Sequence, residues 1–223
     1  MGISDYINIG ISIISIGIAL SALWQTNQQL KFSNKQQLFD RRLNLYLLFT
    51  TLLQLYNENT TILGLERETS YIDSDLFVWL TNCSDLEDMA DAINGPLRGK
   101  KHKNLLSKCE GLKRSSVEAS MIFRSNSGKI TCEFISTYSD FLKALYKQQI
   151  YLSRRAKREH GTILPEEYLK DCRQMAERLG LFDLHGRLDE LAKEIKQKNI
   201  AEALREETYL LKADKKLLRG RKR

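Results

Sequence analysis

The chain has 223 residues, of which 42% are hydrophobic and 28% charged, and its net charge is +7. These values are typical of a folded chain. The length allows one domain with its own hydrophobic core and is too short for two such domains. The four cysteines are widely spaced and form no CxxC pair, which excludes a thioredoxin motif and a cysteine-based zinc site. We expect small buried thiols in a reducing compartment.

The first element is the apolar run from Ile7 to Trp24, INIGISIISIGIALSALW, which contains no charged residue and no proline. As a helix it would measure about 27 Å at ~1.5 Å per residue, close to the hydrocarbon thickness of a bilayer. Its small serines lie on several faces and form no polar stripe, which favours a membrane span over a buried core helix. We therefore predict a membrane anchor over residues 1–29, with packing positions at Gly10, Gly17, Ser21 and Trp24.

The charges that flank the run predict its orientation. No lysine or arginine precedes it, whereas Lys31, Lys35, Arg41 and Arg42 follow it. The positive-inside rule places the N-terminus outside and the body of the protein in the cytoplasm. The start lacks the basic region of a signal peptide, so cleavage is not expected.

The rest of the chain predicts an all-α fold, because it has only two prolines and no alternation of strand length. We predict a cytosolic helical bundle over residues 30–218 and a basic tail over 219–223. The first bundle helix, 30–56, should continue from the anchor. It carries a heptad seam of Leu38, Arg41, Leu45, Leu48 and Leu52.

The seam leaves two questions open. Counting back by sevens from Leu38 reaches Gly17 and Gly10, so the seam could mediate self-association along anchor and bundle. Alternatively, the leucines pack on a helix of the same chain. Arg41 then needs an acidic partner, for which the acidic segment 61–95 is the candidate, or it lies at the edge with its charge in water.

The remaining elements follow in chain order. Residues 57–70 are predicted to form a connection between helices. A short helix is predicted to begin at Asp73 or Ser74, and another is predicted to begin with the SDLE capping box at Ser84. A helix over 105–122 should end at a turn, Asn126–Gly128. The strongest later helix, 130–158, is expected to be the core partner of the first one. Helices from Pro165, from Leu184 to Lys196 and from Ile200 to Leu218 complete the prediction.

The stretch LFDRRLNLYLLF, residues 38–49, carries a family resemblance. The chain resembles small bacterial inner-membrane proteins in which one N-terminal span continues into a helix with a phenylalanine, an acid, a basic pair and a tyrosine, here Phe39, Asp40, Arg41, Arg42 and Tyr46. The resemblance covers about the first sixty residues. It implies a single-pass protein of the bacterial inner membrane, and some proteins of this kind resemble membrane effectors of phage-defence or toxin–antitoxin loci.

No catalytic motif is found, and no cofactor or metal is expected. The three histidines are far apart, and Glu87, Asp88 and Asp91 are better explained as a solvated face than as a metal site. Basic clusters could contact phosphate or lipid headgroups. Their members are Arg98, Lys100, Lys101, Lys103, Arg154, Arg155, Lys157 and Arg158.

These observations predict a membrane-anchored, non-enzymatic helical effector or adaptor. It would act by self-association and by binding a protein partner, with perturbation of the host membrane as the effector form. The alternative is a membrane-tethered module that contacts nucleic acid or anionic lipid through its basic clusters. Few aromatic residues lie among those clusters, so nucleic acid is the less favoured ligand.

Overall fold

The structure is a computed structural model, and it describes the backbone of residues 3–65, 74–93, 95, 99–123, 125–158 and 165–209. Within these ranges it describes the side chains apart from those of residues 3–9, 11–13, 60–65, 74–75, 125, 156–158 and 165. The helices are α1 (Ile3–Leu65), α2 (Ser74–Leu80), α3 (Lys100–Ile122), α4 (Ser125–Arg158), α5 (Pro165–Arg178), α6 (Leu181–Gln197) and α7 (Ile200–Tyr209). Two single 3₁₀ turns, Ser84–Leu86 and Ala90–Ala92, lie between α2 and α3. The described residues contain no strand, so the all-α prediction is confirmed.

The chain divides into two units at a point within α1. The first unit includes residues 3–41, and the second includes residues 42–209. In the first unit, every residue from 14 to 37 is exposed. The second unit holds the hydrophobic core.

The described residues contain no helix that qualifies as the predicted membrane span. No helix in that part of the chain combines the length and the apolar character needed to cross a bilayer. The side chains of residues 7–9 and 11–13, which belong to the predicted span, lie outside the described residues. The single-pass anchor therefore stays a prediction.

Helix α4 is the centre of the second unit. Phe134, Tyr138 and Phe141 on α4 are fully buried, and α2, α3, α5, α6 and α7 all pack against this helix. The Phe49 ring of α1 meets the Phe134 ring edge-on, with 5.7 Å between their centroids. Two ring contacts therefore join α1 to the helix that was predicted as its core partner, whereas α4 packs most extensively on α3 and α6.

The face that α1 turns toward the core differs from the predicted seam. Leu45 and Leu52 are buried as expected, but Arg41 is exposed, and Leu38 and Leu48 are only half-buried. The buried positions step by 3, 4, 3 and 4 through Arg42, Leu45, Phe49, Leu52 and Tyr56. The two aromatic rings bury more apolar area than leucines do, which favours the rotation of α1 that directs them inward.

Several predicted boundaries were wrong. Helix α1 continues to Leu65 through part of the predicted connection. The capping box at Ser84 gives only a 3₁₀ turn without a side-chain cap, and the backbone of Asp88 turns left-handed at φ 67°. Helix α7 is described as far as Tyr209, so the predicted end at Leu218 and the basic tail lie outside the described residues.

Helix α4 begins at Ser125, so the predicted turn at Asn126–Gly128 is helical. Gly128 allows this because a Cβ there would lie 2.8 Å from the Phe123 carbonyl oxygen and 3.0 Å from that of Ala119. The start of α4 therefore passes directly over the end of α3. Here glycine permits a close approach and does not interrupt the helix.

We predict that Gly128→Ala destabilises the full chain by about 1–3 kcal/mol, because the added methyl group would displace backbone at the α3–α4 junction. Gly111→Ala is the matched control, since it also lies within a helix but a Cβ there meets nothing within 4 Å. That control should gain about 0.5–1 kcal/mol from helix propensity. Urea unfolding of the detergent-solubilised protein measures both changes, and equal effects would contradict the close approach.

Candidate functional site

The most unusual surface of the protein is the N-terminal part of α1. Ile14, Ile16, Ile18, Leu20, Leu23 and Trp24 each expose between 61% and 67% of their surface. Because these six residues are spread around the helix, apolar surface is presented on several faces. Exposed apolar surface of this kind is typical of a contact with lipid or with another protein.

The polarity of α1 changes after Trp24. Residues 25–37 are also all exposed, but most of them are polar, with Leu30 and Phe32 as the large apolar exceptions. The first unit thus has an apolar segment followed by a polar segment within one helix. Two hydroxyl groups near the change, those of Ser21 and Thr26, donate to the carbonyls of Gly17 and Ala22 on the same helix.

In the second unit, one charged side chain joins three helices. Only 7% of the Arg42 surface is exposed, and its guanidinium donates to the Ile122 carbonyl at 2.9 Å and to the Glu207 carbonyl at 2.8 Å. Ile122 is the last residue of α3, and Glu207 lies in the last turn of α7. The Phe123 ring lies beneath the guanidinium, with 5.9 Å from Cζ to the ring centroid.

This geometry explains how Arg42 is buried. The last carbonyls of a helix lack partners within the helix and carry the negative end of its dipole. A cation between two such ends forms charge-assisted hydrogen bonds with both. The planar fork of arginine can reach two acceptors in different directions, which an ammonium group cannot do equally well.

The residues that carry the family resemblance thus have different roles. Arg42 caps the C-terminal ends of α3 and α7, whereas its neighbours Asp40 and Arg41 are exposed. Tyr46 is half-buried and packs against the core. The burial of Arg42 was not predicted, although Arg42 precedes Phe49 by seven residues and Tyr56 by fourteen, which is the spacing of one helix face.

The basic cluster at the start of α3 has a mixed charge. Lys100, Lys101 and Lys103 are exposed, but Lys101 pairs with Asp91 at 3.0 Å, and Asp88 lines the same recess. Acidic groups therefore share this surface with the lysines. The Arg98 position lies outside the described residues.

The second basic cluster is also only partly available. Arg154 is exposed, but Arg155 forms a largely buried ion pair with Asp171 of α5. This pair joins α4 to α5, so Arg155 has a structural role. The side chains of Lys157 and Arg158 lie outside the described residues.

The histidines that the structure describes are engaged in packing. The His102 ring stacks on the Tyr146 ring, and its Nδ1 lies 2.8 Å from the Tyr146 hydroxyl. His185 is buried against the Phe141 ring. Within the described part of the chain, no group of histidine, cysteine and carboxylate side chains could hold a metal ion.

The four cysteines are free thiols. Burial raises the pKa of the thiols of Cys83, Cys109 and Cys172. Because the thiolate is the nucleophilic and metal-binding form, a raised pKa keeps these groups unreactive at neutral pH.

An open cleft of about 520 Å³ lies between the end of α1, α6 and the start of α7. Its floor includes the Tyr56 hydroxyl, which donates to the Asp189 carboxylate at 2.7 Å. Its lining combines the buried or half-buried apolar side chains of Leu53, Ala192, Ile195 and Ala201 with the exposed charged side chains of Lys193, Lys196 and Glu202. No sequence pattern predicts this cleft, because its residues on α1 lie more than 130 positions before those on α6 and α7.

The described residues define an all-helical fold in which residues 14–24 of α1 present exposed apolar surface. No protein-family model, curated protein or solved structure matches the chain.

We predict that Arg42→Ala destabilises the full chain by about 3 kcal/mol, because two helix ends lose their charged donor. Arg42→Lys should lose about 1.5 kcal/mol, since one ammonium group replaces a two-pronged donor. Arg41→Ala is the matched control and should change stability by less than about 0.5 kcal/mol, because Arg41 is exposed. Thermal unfolding in detergent compares the three variants. Similar losses at both positions would contradict the role of Arg42.

Proposed function

We propose that the protein is a non-enzymatic adaptor anchored in the bacterial inner membrane by the N-terminal part of α1, with its helical bundle in the cytoplasm. The observation that carries this proposal is the exposed apolar stretch from Ile14 to Trp24. Six large apolar side chains that each expose more than three-fifths of their surface would be costly in water, at roughly 25 cal/mol for every Å² left uncovered. In lipid they have no such cost.

The length of the stretch supports the proposal only together with the sequence before it. The described residues 14–24 would measure about 16 Å at ~1.5 Å per residue. The sequence continues the run back to Ile7 without a charge, and this complete run would measure about 27 Å. Trp24 lies where the exposed surface becomes polar, a position that tryptophan favours at a membrane surface.

The adaptor role rests on the described side chains of the bundle. His102, His185 and Arg42 are used in packing or helix capping, and Cys109 and Cys172 are buried. The cleft between α1, α6 and α7 offers an apolar floor with a charged rim, which is the composition of many protein-binding surfaces. Binding a partner is therefore the activity that these groups support best.

For the anchor, we predict that the full chain stays in the membrane fraction through an alkaline carbonate wash and that a reporter after Arg223 is cytoplasmic. Ile14→Arg should release much of the protein, because a charge at the middle of a bilayer costs several kcal/mol. Gln29→Arg is the control and should stay in the membrane, because residue 29 lies beyond the apolar run. Carbonate release of the unaltered chain would reject the anchor.

For the adaptor, we predict that overexpression leaves the membrane potential of the host unchanged, because an adaptor opens no path for ions. A potential-sensitive dye measures this at matched membrane levels of protein. Depolarisation that Gly17→Leu relieves would instead support a membrane-perturbing effector, since leucine blocks close approach of helices at that position. Alanine at His102, His160 and His185 should not change the measured membrane potential in either case, whatever it does to the stability of the bundle.

A further inference from the structure

The exposed part of α1 carries a second heptad stripe that differs from the leucine seam. Ile16, Leu20, Leu23, Asn27, Leu30, Asn34 and Gln37 step alternately by four and three residues. Asn27 and Asn34 occupy the same heptad position as Leu20, while Ile16, Leu23, Leu30 and Gln37 occupy the other. The two charged residues of this stretch, Lys31 and Lys35, lie off the stripe.

The stripe is exposed along its whole length. Leu20, Leu23 and Leu30 expose 62%, 67% and 58% of their surface, and both asparagines are also exposed. Segment 25–37 belongs to the continuous helix α1 and every one of its residues is exposed, so the whole stripe is available to a partner helix. Leu20, Asn27 and Asn34 correspond to position a of the heptad. Asparagine at position a favours a parallel dimer of helices in one register, because the two amides hydrogen-bond to each other.

The bundle determines where such a contact can extend. Leu45 and Leu52, which the leucine seam would use between copies, are buried in the core of their own chain. Arg42 is likewise occupied with the ends of α3 and α7. A contact between copies that used this face of α1 beyond residue 41 would have to disrupt the core.

We infer that the partner of the exposed helix is a second copy of this chain, and that two copies pair in parallel through Leu20, Leu23, Asn27, Leu30 and Asn34. The inference deepens the proposed function, since two anchors that lie side by side would both point their bundles into the cytoplasm. The contact ends before Arg42. The stripe of Gly10, Gly17 and Trp24 flanks this seam on one side and is not its centre.

Cysteine scanning in the full-length protein in native membranes tests the pairing. Cysteines at Asn27, Leu30 and Asn34 should form disulfide-linked dimers on mild oxidation, because facing seam positions lie within disulfide reach. Cysteines at Gln25 and Phe32, on the opposite face, should not rise above the background of the unaltered chain with its four native thiols. Phe32 is a demanding control because it is 71% exposed, so nonspecific hydrophobic association would also produce cross-links at this position.

Charged substitutions then test whether the seam residues of two copies face each other or whether the two helices merely lie close together. In the Leu30→Cys protein, Asn27→Asp should lower the dimer yield about tenfold, because two carboxylates would face each other without partners. Gln25→Asp adds the same charge on the opposite face and should leave the yield unchanged. Equal cross-linking around the helix, cross-linking centred on Gly17 and Trp24, or no cross-linking would overturn the inference.

The carbonate wash of each sample distinguishes this failure from failure of the anchor. A protein that stays in the membrane without seam cross-links contradicts the pairing and leaves the anchor intact. Release by carbonate with seam cross-links present contradicts the anchor and leaves the pairing intact.

Discussion

The Arg42 guanidinium lies between the ends of α3 and α7 and donates to a carbonyl of each. Removing a charge from water costs several kcal/mol, and here this cost is offset by two charge-assisted hydrogen bonds and by the dipoles of two helices. The Phe123 ring covers the remaining face of the group. Since α1 supplies the arginine, this contact fixes α1, α3 and α7 together at one end of the second unit.

The position of Arg42 also sets the rotation of α1. With Arg42 inward, the positions that follow at steps of three and four are Leu45, Phe49, Leu52 and Tyr56, and all are buried. Phe49 and Tyr56 then both meet the Phe134 ring of α4, and the Tyr56 hydroxyl reaches Asp189 of α6. One constraint on α1 thus orients the contacts that connect it to α4 and α6.

The same rotation separates two uses of one helix. From Arg42 onward, the inward face of α1 belongs to the core of its own chain, whereas residues 14–37 are exposed on every face. Any partner outside the chain, whether lipid or a second copy, therefore has the N-terminal segment available. A contact made by residues 14–37 would leave the contacts that stabilise the bundle in place.

The sequence by itself determined the helical class, the continuity of α1 and the place where Pro165 begins a helix. These features depend on local periodicity and on backbone restrictions, which neighbouring residues express directly. Only the tertiary structure decided that Arg42 and not Arg41 is buried. The acceptors of Arg42 are the carbonyls of Ile122 and Glu207, and no local pattern shows that these distant backbone groups meet at one point. The helical state of Asn126–Gly128 was decided in the same way, because a glycine that favours a turn locally also permits the close passage of α4 over the end of α3.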